Sequence, residues 1–184
     1  MPMIRNRERL EQAHAEAVRA IAAAAAGGRD VVYLSLGDPL FYSTFGYLAE
    51  RFAGPVEVVS GVTAASATAA ALGLPLAEGD TPTVVVTGKA HGALAAALAM
   101  DASVIVIKPR SLTEQSLDLL DGSGAWPRAC AAIELGGPGQ RLIAELNREL
   151  AAELPYFAVL WIKPPKPPKL PSPHKNIFSP EDNQ

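Results

Sequence analysis

Residues Gly37-Asp38-Pro39-Leu40-Phe41-Tyr42-Ser43-Thr44 concentrate the chemistry of this 184-residue chain. An apolar run, 31–36, leads into a glycine, a carboxylate and a proline, and an aromatic pair and two hydroxyls follow at once. Glycine lets a ligand approach the backbone closely. Proline fixes the turn. The carboxylate can accept hydrogen bonds from a ribose or an amino group. Taken alone, the tripeptide equally suits a bare strand-to-helix turn. A second turn, Ser60-Gly61-Val62-Thr63-Ala64, repeats the plan after the apolar run 56–59. Thr63 is placed there to cap a helix whose free N–H groups face outward. A third strand end, Val86-Thr87-Gly88-Lys89, carries a hydroxyl and a glycine but is uninformative by itself. Two such turns on consecutive strands lie side by side, and ligands of open α/β sheets bind at carboxyl strand ends.

The spacing of apolar residues predicts the elements that hold these turns. Leu10, Ala13, Ala17, Val18 and Ile21 recur at helical intervals, with Asn6 as N-cap and Gly27-Gly28 as the stop. A strand over 31–36, a helix over 44–52, a strand over 56–59 and a helix over 63–72 follow. That alternation implies parallel strands with right-handed crossovers. The turn-rich stretch 77–82 marks a lobe boundary, giving lobes over 1–77 and 78–163. The second lobe reads as strand 83–86, helix 91–100, strand 103–108, helix 112–120, strand 129–135, a glycine turn at 136–139, helix 140–150 and strand 156–163. Seven prolines fall between Pro164 and Pro180, interleaved with lysines, and 164–184 reads as an extended, solvated tail.

Bulk composition narrows the function. A net charge of −3 and a pI near 5.6 argue against a nucleic-acid footprint, which is normally basic. No apolar run approaches a membrane span. The basic start and the alanine run at 22–26 resemble an export signal, but Glu8, Glu11 and Glu16 interrupt it, which leaves a helix and a cytoplasmic protein. The single Cys130 makes no internal disulfide and suits a reducing compartment as inert core. Three scattered histidines give no metal-spaced cluster. His91 reads as a helix-start residue.

The combination of Gly37-Asp38-Pro39-Leu40-Phe41-Tyr42-Ser43-Thr44, Gly61-Val62-Thr63-Ala64 and Gly73-Leu74-Pro75-Leu76 resembles the tetrapyrrole methylases, over roughly residues 1–162. Tyr42-Ser43-Thr44, the opening Pro2-Met3, Arg5 to Arg7 and the strand Val104-Ile105-Val106-Ile107-Lys108 are most similar to the branch acting at C-20 of precorrin-2. The resemblance implies two α/β lobes with S-adenosylmethionine (SAM) in the cleft between them, a tetrapyrrole substrate and a homodimer. It implies that Gly37 and Asp38 hold the ribose and amino-acid part. Phe41, Ser43 and Thr44 then extend that contact, Thr63 and Ala64 meet the methionine end, and Thr87 lines the adenine side. Gly136 corresponds to a late glycine near the adenine, with the spacing before Gln140 one residue off. Arg5, Arg7, Lys89 and Arg110 are the cations available to substrate carboxylates.

Two departures accompany the resemblance. Ser60 stands where the family usually has proline. The family's opening strand and Gly-x-Gly-x-Gly-Asp-Pro loop are not among these residues, so the first lobe is expected to be incomplete and strand 31–36 to expose an apolar edge. A misassigned start and a truncated relic both explain this. Two rival readings stay open: a non-catalytic fragment of the same family, and an unrelated α/β scaffold whose proline tail is the working part.

Overall fold

The computed structural model describes residues 6–165. Pro2-Met3, Arg5 and the tail beyond Pro165 lie outside the described residues. The chain divides into two compact units, one ending at Thr63 and the other beginning at Ala64.

The first unit holds α1 (Arg7–Ala26) and α2 (Phe45–Ala49). Asn6 caps α1, its side chain accepting from the Arg9 N–H at 3.1 Å. The two helices are tied by an Arg51–Glu11 ion pair at 2.7 Å and by the Arg51 guanidinium donating to the Tyr47 carbonyl at 2.6 Å. His14 is buried and stacks on Tyr47 with ring centroids 5.6 Å apart, and neither ring nitrogen finds a hydrogen-bond partner.

The expected strands over 31–36 and 56–59 do not form: among the described residues, every strand lies in the second unit. Both segments run without a ladder. The physical reason is that an apolar run becomes a strand only when neighbours take its N–H and C=O groups. Two strands alone make a marginal sheet, and a parallel pair is weaker per residue than an antiparallel one. Val32, Leu34 and Leu36 consequently stay 78–87% exposed. The helix expected over 44–52 contracts to one short turn.

The second unit contains α3 (Ala64–Leu72), β1 (Thr83–Thr87), α4 (His91–Leu98), β2 (Ser103–Ile107), α5 (Glu114–Gly122), β3 (Ala129–Ile133), β4 (Arg141–Ile143), α6 (Arg148–Ala152) and β5 (Ala158–Ile162). The strands form one sheet in the order β1-β2-β5-β3-β4, with β1 and β2 parallel and the other pairs antiparallel. Side chains alternate across it. Val104, Val106, Ala131, Leu160 and Ile162 pack toward Leu94, Leu117, Leu120 and Ala151 of α4, α5 and α6. Ile105, Ile107, Cys130, Val159 and Trp161 pack toward Ala65 and Ala69 of α3 and the following Leu74 and Leu76. Small residues let α3 lie close to the sheet, and this packing puts residues 64–76 in the second unit.

Residues 140–150, expected as one helix, are instead a strand and a short helix. Leu142 and Ile143 pair with Ala132 and Ala131. Asn147 then opens α6, accepting from the Leu150 N–H at 2.9 Å. Arg148 reaches from α6 to Glu114, Asp118 and Asp121 around α5. The indole N–H of Trp126 and then Arg148 hold the Asp121 carboxyl below its ordinary range. Cys130 is buried with its thiol donating to the Trp161 carbonyl, and desolvation pushes its pKa up.

Candidate functional site

In the first unit the two sequence-predicted turns come together through Asp38. One carboxylate oxygen accepts from the Leu40 N–H at 2.8 Å, and the other accepts from the Gly61 N–H at 3.0 Å, 23 residues away. These bonds, Gly61 first and then Leu40, hold the carboxyl below the ordinary carboxylate range. The Phe41 N–H adds to the same lowering, and a carboxylate has acceptor capacity beyond these backbone donors. The approach is close enough to require glycine at 61, because a Cβ there would collide with the Gly37 carbonyl. Gly37 adopts φ +83°, a left-handed conformation that suits glycine.

The residues after the turn are braced rather than loose. The Phe41 N–H donates to the Asp38 carbonyl at 3.3 Å, and Phe41 meets Tyr42 edge to face at 5.1 Å. Tyr42 takes φ 54°, an uncommon value for a bulky residue. The Ser43 hydroxyl lies 3.1 Å from that of Ser35 and accepts from the Phe45 N–H at 3.2 Å. Thr44 occupies the N-cap of α2 without a side-chain capping bond. Gly37, Asp38, Phe41 and Gly61 thus gather at one turn pair, while Ser43 and Thr44 serve the start of α2.

In the second unit Thr87 closes β1 and is paired with Ile107 at the end of β2. Ala64 opens α3. Gly136, at φ +77°, follows β3, and its N–H donates to the Gln140 side chain at 2.8 Å. The register puts the ends of β1, β2 and β3 and the start of β5 at one end of the sheet, so Thr87 and Gly136 share that end. Three strand spacings, roughly 14 Å, separate them laterally. His91 is the first residue of α4, and its Nδ1 is buried without a partner. A cleft of about 220 Å³ lined by Leu74, Leu76, Glu78, Ser103, Trp161 and Lys163 opens at the opposite end, where β2 begins. Among the described residues no cluster of His, Cys, Asp and Glu could hold a metal, and no helix is long and apolar enough to cross a membrane.

Two residues escaped the sequence reading. Gly88 is buried, and a Cβ on it would sit 2.8 Å from the Leu112 nitrogen and 3.1 Å from the Lys108 carbonyl oxygen. Lys108 has φ 53°. The glycine after Thr87 hints at the first, and the strand Val104-Ile105-Val106-Ile107-Lys108 carries no mark of the left-handed backbone at its end.

A family model for the Tetrapyrrole (Corrin/Porphyrin) Methylases matches residues 1–151. The chain belongs to this family. It is 34% identical over 146 residues to a Precorrin-2 C(20)-methyltransferase from Sinorhizobium sp, covering 78% of the chain and 59% of that relative. It is 32% identical over 156 residues to the Cobalamin biosynthesis protein CobIJ of Mycobacterium tuberculosis, covering 83% of the chain and 30% of that protein. The chain therefore spans little more than half of the one relative and under a third of the other. Among solved structures, the methyltransferase CobJ shares the fold with a TM-score of 0.66 at 21% identity, over 84% of this chain and 72% of that one. Uroporphyrin-III C-methyl transferase from Thermus thermophilus, complexed with S-adenyl homocysteine, gives 0.61 at 24% identity, over 80% and 72%.

Proposed function

We propose that this methylase transfers a methyl group from SAM to C-20 of a precorrin-2-type tetrapyrrole on the route to cobalamin. The observation that carries the reading is the Asp38 staple. It brings two exposed glycine turns, 23 residues apart, into direct backbone contact in a chain whose relatives include a Precorrin-2 C(20)-methyltransferase.

The turn pair suits the cofactor's polar half. Gly61 without a Cβ packs against the Gly37 carbonyl, both glycines stay exposed, and Asp38 offers its remaining acceptor capacity to ribose hydroxyls or an ammonium. Thr63 and Ala64 are assigned to the methionine end, and Thr87 and Gly136 to the adenine side. SAM, when bound, supplies an electrophilic methyl group on a sulfonium. The acceptor carbon is its own nucleophile, so the protein's residues bind, orient and exclude water. That work is worth up to roughly 7–11 kcal/mol in favourable cases.

The test is direct. Incubation of the chain with SAM and precorrin-2, followed by mass spectrometry, is expected to show one added methyl group, at C-20 by carbon NMR. Saturable SAM binding with no methylated product would support the non-catalytic family fragment instead.

A further inference from the structure

The sheet end that carries Thr87 and Gly136 also gathers an exposed aromatic surface and a set of cations. Thr87 pairs with Ile107, Ile107 with Val159, and Ile133 with Ala158. One residue outward, Gly88 and Lys108 stand level with Ala158 and Ile133, and Phe157 and Glu134 form the next step of the rim beyond them. Lys108 and Glu134 both take left-handed backbone, φ 53° and 48°. Such strained non-glycine residues cluster at ligand clamps. The Glu134 N–H donates to the Phe157 carbonyl at 2.8 Å and so holds Phe157 beside Glu134 at the outer step of the rim. The Phe157 ring is 53% exposed and backed edge to face by Tyr156, with centroids 5.2 Å apart.

Gly88 builds the charged side of this rim. Its lack of a Cβ lets the turn bearing Lys89 pack directly on the turn bearing Lys108 and Arg110. The Ser116 hydroxyl, donating to the Gly88 carbonyl at 3.3 Å, locks the contact. Lys89 and Arg110 are both exposed. The carboxylate of Glu134 lies against Gly139 of the following turn.

We propose that Phe157, backed by Tyr156, is the platform for the face of the flat acceptor macrocycle, and that Lys89 and Arg110 receive its carboxylates. The inference rests on the methyl-transfer reading and assigns that reaction's acceptor subsite. A flat polycarboxylate needs what this rim offers: an aromatic face for offset stacking and guanidinium and ammonium donors for charge-assisted hydrogen bonds. Arg7, the other described cation considered from the sequence, opens α1 and is no part of this rim.

Uroporphyrin III is the probe, its fluorescence followed on titration with the full chain, alongside calorimetry with S-adenosylhomocysteine. Phe157→Ala is expected to weaken porphyrin binding about 2- to 10-fold, with Phe157→Tyr restoring it. Arg110→Glu is expected to weaken it at low salt by about 2- to 5-fold and to flatten its salt dependence. The affinity for S-adenosylhomocysteine stays unchanged in all three. Porphyrin binding that ignores both Phe157→Ala and Arg110→Glu overturns the platform while the methyl-transfer reading stands. Binding of the nucleoside without the porphyrin does the same. A fall in sedimentation coefficient on Phe157→Ala assigns the ring to a contact between copies and overturns it too. A wild-type chain that binds neither ligand removes the methyl-transfer reading itself, and the platform with it.

Discussion

In the second unit, β2, β5 and β3 are laddered on both sides and covered on both faces; in the first, runs of the same apolar composition stay bare. Segment 103–107 is Ser-Val-Ile-Val-Ile and fully buried, whereas 31–36 is Val-Val-Tyr-Leu-Ser-Leu and mostly exposed. Composition does not separate them. Partners do: β2 has β1 and β5 beside it, α3 on one face and α4 and α5 on the other. Strand propensity is fit to a pleated, half-buried surface, and it lapses where no such surface is supplied. The first unit is held instead by local devices, namely the Asp38 staple, the His14–Tyr47 stack and the Arg51 contacts between α1 and α2. Exposed apolar runs of this kind are prone to recruit a partner or to aggregate.

The largest expected effect contrasts two leucines. Leu160 in β5 is 0% exposed and packs in the sheet core, so Leu160→Ala should destabilise the chain by about 2–5 kcal/mol. Leu34→Ala should change stability by no more than about 0.5 kcal/mol. Equal losses in denaturant unfolding would erase the distinction between the units. Next comes Gly88→Ala, which forces a Cβ onto backbone atoms of the neighbouring turn at residues 108–112. A cost of about 1–3 kcal/mol is expected, measured by thermal unfolding, and a neutral result would mean that the rim at the sheet end is not tightly packed.

The smallest effect is a proton. Asp38 has a folded pKa below its unfolded value, so its staple contributes fully above the unfolded value of roughly 3.9. That contribution is lost as pH falls through the lower folded value. The Gly61 amide resonance should report this titration, with a midpoint below about 3.9, and Asp38→Asn should abolish it. A midpoint at or above the ordinary value would show that the carboxylate does not accept from Gly61.

Much of the sheet unit can be read from residue order alone. Outside it, Asn6 is where a cap belongs, and it accepts from the Arg9 N–H. The strands at 103–107 and 158–162 follow from continuous apolar runs. The strand β4 is hidden because Leu142, Ile143, Leu146 and Leu150 also suit a helix; pairing with β3, a tertiary event, decides against it. At the candidate site, glycines and a carboxylate at strand-like ends mark the turns. The direction of Asp38 toward Gly61 is not visible, because its partner is 23 residues away. Gly88 is similarly opaque: its need for hydrogen in place of a side chain comes from the backbone of residues 108–112, not from its own neighbours.

The stapled turn pair is tested most directly by isothermal titration of the chain with S-adenosylhomocysteine, wild type against Asp38→Ala. Saturable binding by the wild type, weakened roughly tenfold or more in the variant, is the predicted result. Absence of saturable binding in the wild type, or equal affinity in the two proteins, would contradict it.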